Sequence, residues 1–179
     1  MPDTPVIRPA RAEDAGAIDG VIRAAFAATA HGYQGEADLV RMIEADGDAL
    51  VSLVADAGGA IAGHVLFSRM YGEADGAALS AAGLAPVAVS PDRQGRGIGD
   101  ALIRAGLDAL RDRGVAMSFV LGHAAYYPRF GYSPELGARF ASPFAGPHFM
   151  AMMLDSGAAW PQGGRADYAP AFGRLGQDL

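Results

Sequence analysis

The sequence predicts one mixed α/β domain, and three observations lead there. Apolar residues recur at helical spacing in some stretches and crowd into short strand-like runs in others. The strongest helix directly follows a strand and a glycine-rich turn. The chain is 51% hydrophobic and 19% charged over 179 residues, long enough to bury a sizeable core.

The elements follow in order. After a short strand at Val6 to Arg8, Ile18, Val21, Ile22, Ala25 and Phe26 share one helical face. A break at His31-Gly32-Tyr33-Gln34-Gly35 precedes a second helix carrying Leu39, Val40 and Ile43. Leu50 to Ala55 and Ile61 to Ser68 read as a hairpin joined by Asp56-Ala57-Gly58-Gly59, residues that tolerate positive φ. Gly72 to Gly76 reads as a turn and Ala77 to Val89 as a third long strand, which Gly83 and Pro86 bulge or splay. Ile98 to Arg113 is a helix with Leu102, Ile103, Gly106, Leu107 and Leu110 on one face and Gly114 as its stop. Val115 to Leu121 gives a buried strand, an irregular proline-containing stretch with a short helix follows, and Phe149 to Leu154 is a last strand. The segment after Gly157 is rich in Gly and Pro but holds Trp160, Tyr168 and Phe172, so it is expected to pack on the body.

Composition excludes several functions. A formal net charge of -6 opposes a nucleic-acid partner, because a polyanion is bound through a basic face. All 14 basic residues are arginine, which removes lysine-dependent phosphate loops and Schiff-base chemistry. With no cysteine, thiol nucleophiles, disulfides and cysteine metal sites are excluded, and no metal is expected. The N-terminus lacks a secretory pattern and no apolar run approaches the roughly 20 residues of a membrane span. The expectation is a cytoplasmic protein without a membrane partner.

The chemistry concentrates in Val87 to Gly99. Gln94-Gly95-Arg96-Gly97-Ile98-Gly99 joins a strand to a helix start, where unpaired amides and a partial positive charge attract anions. Glycines at alternate positions let the backbone close around a bulky group such as pyrophosphate. A dinucleotide GxGxxG aligned on Gly95 and Gly97 would need glycine where Asp100 stands, so that reading fails. Taken alone, a glycine-rich turn can also be no more than a tight strand-to-helix connection.

Gln94-x-x-Gly97-x-Gly99, preceded by Val87-x-Val89-x-Pro91, resembles the acetyl-CoA motif of the GNAT superfamily. His123-Ala124-Ala125-Tyr126-Tyr127-Pro128-Arg129-Phe130-Gly131-Tyr132 resembles the short helix and turn that close the same site. The runs from Gly83 and from Val120 are similar to the YhbS-like branch of N-acetyltransferases, and the resemblance covers nearly the whole chain. One departure is Gly122-His123, where many members carry asparagine.

The resemblance implies a GNAT fold: a twisted, mostly antiparallel sheet of six to seven strands with a splayed parallel pair, flanked by helices on both faces. It implies a GNAT domain over residues 1–157 with a packed extension over 158–179. It also implies acetyl-CoA as acyl donor, held by Val87, Ala88, Val89, Gln94, Gly95, Arg96, Gly97, Ile98, Gly99 and Tyr126, with Arg93 or Arg96 on a phosphate. Tyr127 is the expected acid toward the departing thiolate, since a phenol can supply a proton in a dry cleft. The Ala77 to Val89 strand offers no base, which leaves Glu36, His31, His64 or a water, with Glu36 the first candidate. His64 lies opposite in parity to Val65 and Phe67, a placement that also suits a satisfied structural histidine.

The expected function is direct acetyl transfer to a primary amine of a small molecule. An acyl-CoA-binding sensor without turnover and acetylation of a protein amine are the alternatives. A homodimer is the expected assembly, since an interface through the irregular C-terminal third would leave no periodic trace.

Overall fold

The computed structural model describes residues 4–175. In chain order the elements are β1 (Val6–Pro9), α1 (Ala15–Ala27), α2 (Glu36–Ala45), β2 (Ala49–Ala57), β3 (Ala60–Arg69), β4 (Tyr71–Ala74), β5 (Ala77–Ala78), β6 (Ala81–Val89), α3 (Ile98–Asp112), β7 (Met117–Leu121), α4 (Pro134–Gly137), β8 (Phe140–Ala141), β9 (Phe149–Met153), β10 (Gly164–Asp167) and α5 (Ala171–Arg174). A six-stranded sheet runs β1-β2-β3-β6-β7-β9, and a four-stranded sheet runs β5-β4-β10-β8. In the larger sheet only β6 and β7 pair in parallel. This is the mixed α/β architecture that the pattern and the resemblance predict.

Alternation along the strands sends side chains to two faces. On one, Val65 and Phe67 of β3 pack with Leu102, Ile103, Leu107 and Leu110 of α3. Gly106 makes that contact close: a Cβ there would lie 2.2 Å from Phe67 Cε2. On the other face, Val54 and Leu66 pack with Ile18 and Ile22 of α1 and Leu39 and Ile43 of α2. Burial of each such side chain contributes about 1.5–3 kcal/mol. A third cluster, with Met70, Phe119, Phe140 and Phe149, lies where the smaller sheet covers the larger one. The β2–β3 hairpin turns through Gly58 and Gly59, with Asp56 Oδ1 accepting from the Gly59 amide at 2.7 Å.

The feature that positions the site is a break in β6. Val87 pairs with Val65 and Leu84 with Phe67, so Ala85 and Pro86 together oppose Leu66 as a bulge. Proline has no N–H for the ladder, which places it at the irregularity. β7 pairs with β6 only over Ala81 to Leu84. Past that point Val87, Ala88 and Val89 keep β3 on one side and have no strand on the other among the described residues.

Three expectations need correction. The run Ala77 to Val89 is not one strand, because β5 ends at Ala78 and β6 begins at Ala81. Ser80 sits between them, its carbonyl accepting from the Met117 amide and its hydroxyl from the Ala116 amide. The turn placed at Gly72 to Gly76 is instead β4 followed by a tight turn at Asp75 and Gly76. The helix expected after β7 is a 3-10 turn, Tyr127–Phe130, followed by the four-residue α4. No helix among the described residues is long and apolar enough to cross a membrane.

Candidate active site

Between the end of β6 and the start of α3 lies a cleft of about 400 Å³, lined by Val89, Arg93, Gln94, Gly95, Gly97, Ile98, Gly99, Asp100, Tyr126 and Arg129. Gly95 and Gly97 have φ of 72° and 77°, and a Cβ on either would stand in open space. A side chain at these positions would be strained and would fill the cleft. The amides of Gly95, Arg96, Gly97, Ile98 and Gly99 donate to no acceptor among the described residues. The first bond of α3 runs from the Ala101 amide to the Gly97 carbonyl at 3.0 Å. Unpaired amides at the positive end of a fifteen-residue helix form an anion site.

The polar side chains of the loop divide by role. Gln94 Nε2 donates to the Val89 carbonyl at 3.0 Å, fastening the loop to the strand end. Arg96 donates to the Asp92 carbonyl at 3.1 Å and does not line the cleft, whereas Arg93 does. Asp100 brings a negative charge into the first turn of α3. Tyr126 donates to its Oδ1 at 2.7 Å, and the Arg129 guanidinium lies 3.6 Å from its Oδ2 and 4.3 Å over the Tyr126 ring. Burial, followed by the hydrogen bond to Asp100, raises the Tyr126 phenol above its usual range.

Of the strand residues expected at the site, Val87 and Val89 face the α3 side while Ala88 is buried against the α1 and α2 cluster. Ala88 therefore offers no side chain to a ligand on the α3 side, and its carbonyl points to β3, 3.0 Å from where a Cβ on Gly63 would lie. Tyr127 packs edge-on against Tyr126 at 5.0 Å and Tyr132 at 5.9 Å. Its ring occupies the space over Gly122, where a Cβ would lie 2.2 Å from Cε2. This accounts for glycine at the position that departs from the family pattern. The Tyr127 hydroxyl has no hydrogen-bond partner among the described residues, and burial raises its pKa.

The structure does not gather the expected bases at the cleft. Glu36 opens α2, and its Oε2 accepts from the Gln34 amide at 2.8 Å, so the carboxylate braces the preceding turn. His31 is exposed. His64 is fully buried, with Nε2 3.0 Å from Ser52 Oγ and Nδ1 without a partner; burial lowers its pKa to about 4. No cluster of His, Asp and Glu fit to hold a metal ion occurs among the described residues. Sequence reasoning missed Asp100 and Arg129, although Arg129 lies inside the quoted Tyr126 to Gly131 motif. Only the 3-10 turn reveals that Arg129 folds back over Tyr126.

Open strand edge, unpaired amides and cleft together define a domain that binds an extended ligand arm ending in a phosphate or pyrophosphate, the class to which nucleotide-borne acyl donors belong. The chain belongs to the GNAT acetyltransferase family: the acetyltransferase (GNAT) domain matches residues 6–134. It is 42% identical over 139 residues to the uncharacterized N-acetyltransferase YjhQ of Escherichia coli strain K12, covering 74% of this chain and 76% of that protein. In structure it is similar to the GNAT family N-acetyltransferase YhbS from Escherichia coli, solved in complex with CoA, with 31% identity, coverage of 97% and 94%, and a TM-score of 0.83. A GNAT family acetyltransferase from Brucella melitensis in complex with acetyl-CoA is 35% identical, with coverage of 93% and 97% and a TM-score of 0.78.

Proposed function

We propose that this N-acetyltransferase moves the acetyl group of acetyl-CoA directly to a primary amine of a small molecule. The observation that carries the reading is the adjacency of the open β6 edge to the unpaired amides at the start of α3. Relatives solved with CoA and acetyl-CoA support the choice of donor. Bound acetyl-CoA supplies an activated acyl thioester. The chain's own part is to hold and to move protons. Amides of Gly95, Gly97 and Gly99 hold the pyrophosphate, with Ile98 at the helix start and Arg93 and Arg129 as the cations of the cleft. Main-chain groups of Val87 and Val89 pair with the amide-bearing arm as an added strand would.

Tyr127, kept protonated by burial, gives its proton to the departing sulfur. Glu36, through the oxygen that does not brace Gln34, or a water takes the proton that the amine loses. Direct transfer suits a chain without cysteine. Tyr168, Phe144 and Phe172 pack together on the side away from α3. Assembly as a homodimer completes the proposal, and a monomer mass in light scattering would end that part.

Titrating acetyl-CoA into the wild type and into Gly97→Trp by calorimetry tests the site. The wild type should bind, and the variant should lose at least about tenfold in affinity because its side chain fills the cleft. Equal binding by both would remove the loop from the site. Release of free CoA with primary amines, set against peptides bearing an N-terminal amine, then separates small-molecule from protein acceptors.

A further inference from the structure

Near the last residues over which β6 pairs with β7, two buried hydroxyls have no hydrogen-bond partner in the described structure: Ser68 Oγ on β3 and Tyr168 Oη. Neither lines the cleft at α3. Ser68 is fully buried on β3, directly across the ladder from Gly83. Tyr168 follows β10 and rests on Gly83 itself, where a Cβ would lie 2.7 Å from its Cε1. Position 83 is thus glycine because a tyrosine ring lies against the strand. Leu84, the next residue, is the last of β6 to pair with β7. Ala82 and Leu84 pack on the α3 side, so Gly83 and Tyr168 stand on the opposite face, one residue before the end of the β6–β7 pairing. Phe172 at 4.8 Å and Phe144 at 5.4 Å hold the ring.

Buried polar groups without partners are uncommon and call for an explanation. We infer that Tyr168 is a substrate-contacting residue, its hydroxyl and that of Ser68 forming the polar end of the passage between β6 and β7 and hydrogen-bonding the acyl carbonyl seated there. The inference rests on the acyl-transfer reading and extends it to the C-terminal segment, beyond the residues 6–134 that the family domain matches. The two phenols approach the opening from opposite faces, Tyr127 with α3 and Tyr168 against Gly83. Burial holds Tyr168 in its protonated, hydrogen-bond-donating form.

Calorimetric affinities for acetyl-CoA and for CoA, which lacks the carbonyl, test this without any acceptor. Wild type should prefer acetyl-CoA by about fivefold or more, the worth of one or two buried hydrogen bonds. Tyr168→Phe should abolish most of that preference while its affinity for CoA stays the same, and Ser68→Ala should reduce it partly. Phenylalanine keeps the ring that Gly83 accommodates, and an unchanged or raised melting temperature shows that the variant folds. A preference in Tyr168→Phe equal to that of the wild type overturns the inference, as does a wild type that binds both ligands without distinguishing them. Failure of the wild type to bind either ligand would sink the acyl-transfer reading along with it.

Discussion

On the proposed reading, the ligand-facing groups on the α3 side of the β6–β7 opening are mostly main chain and come from one continuous run, Val87 to Gly99, joined by the turn that carries Tyr126 and Tyr127. On the opposite side the proposed groups are side chains, Ser68 across the ladder from Gly83 on β3 and Tyr168, which follows β10 and rests on Gly83. A site made of amides needs glycines at fixed spacing and a helix start, so it leaves a local signature. A site assembled from distant side chains leaves none, and it is the side that can vary without disturbing the first.

The largest effect should come from Tyr127→Phe. Loss of the proton donor is expected to lower kcat by about 10²–10⁴-fold, while acetyl-CoA affinity measured by calorimetry stays within error. Equal losses in both would move Tyr127 from chemistry to binding and blur the division between the two sides.

Protons should act on the α1 and α2 side of the sheet. Burial holds His64 near about 4, against 6.5 for the free side chain, so on acidification the unfolded chain takes up the proton first. Stability contributed by the neutral ring is fully present above about pH 6.5 and is lost as pH falls toward about 4, by on the order of 3 kcal/mol. Urea midpoints across that range should fall more steeply in the wild type than in His64→Gln, and parallel slopes would count against a buried neutral His64.

Gly122→Ala places a methyl group where the Tyr127 ring lies. It should cost about 1–3 kcal/mol of stability, read in thermal melts, and should slow turnover by displacing the phenol. Normal turnover in a destabilised protein would show that Tyr127 tolerates a shift. The smallest effect is expected from Glu36→Gln, which can still accept from the Gln34 amide. A fall in kcat of about tenfold or less would agree with a water sharing the role of base, and a larger one would make Glu36 the dominant base.

Legibility followed the same division. The hairpin, α3 and its stop, and the loop from Gln94 to Gly99 could be read because turn chemistry and helical period are local. The smaller sheet could not: β4, β8 and β10 are short, and their pairing is set by partners far along the chain. The break at Leu79 and Ser80 hides in a run of small residues and is enforced by hydrogen bonds from Ala116 and Met117. Arg96 turns back to the Asp92 carbonyl, and Arg129, which spacing did not single out, folds over Tyr126 from within a 3-10 turn.

The bare margin of β6 has one more consequence. Val87 to Val89 have no partner strand on one side among the described residues, within a sheet that is otherwise laddered there, the kind of margin that recruits foreign strands and seeds aggregation. On the proposed reading the donor's arm is the missing strand. The ligand then acts as a conformational chaperone for its own enzyme, raising resistance to heat by mass action and shielding the margin from another copy of the chain. Ligand-free protein should accordingly aggregate sooner on warming than protein kept with CoA.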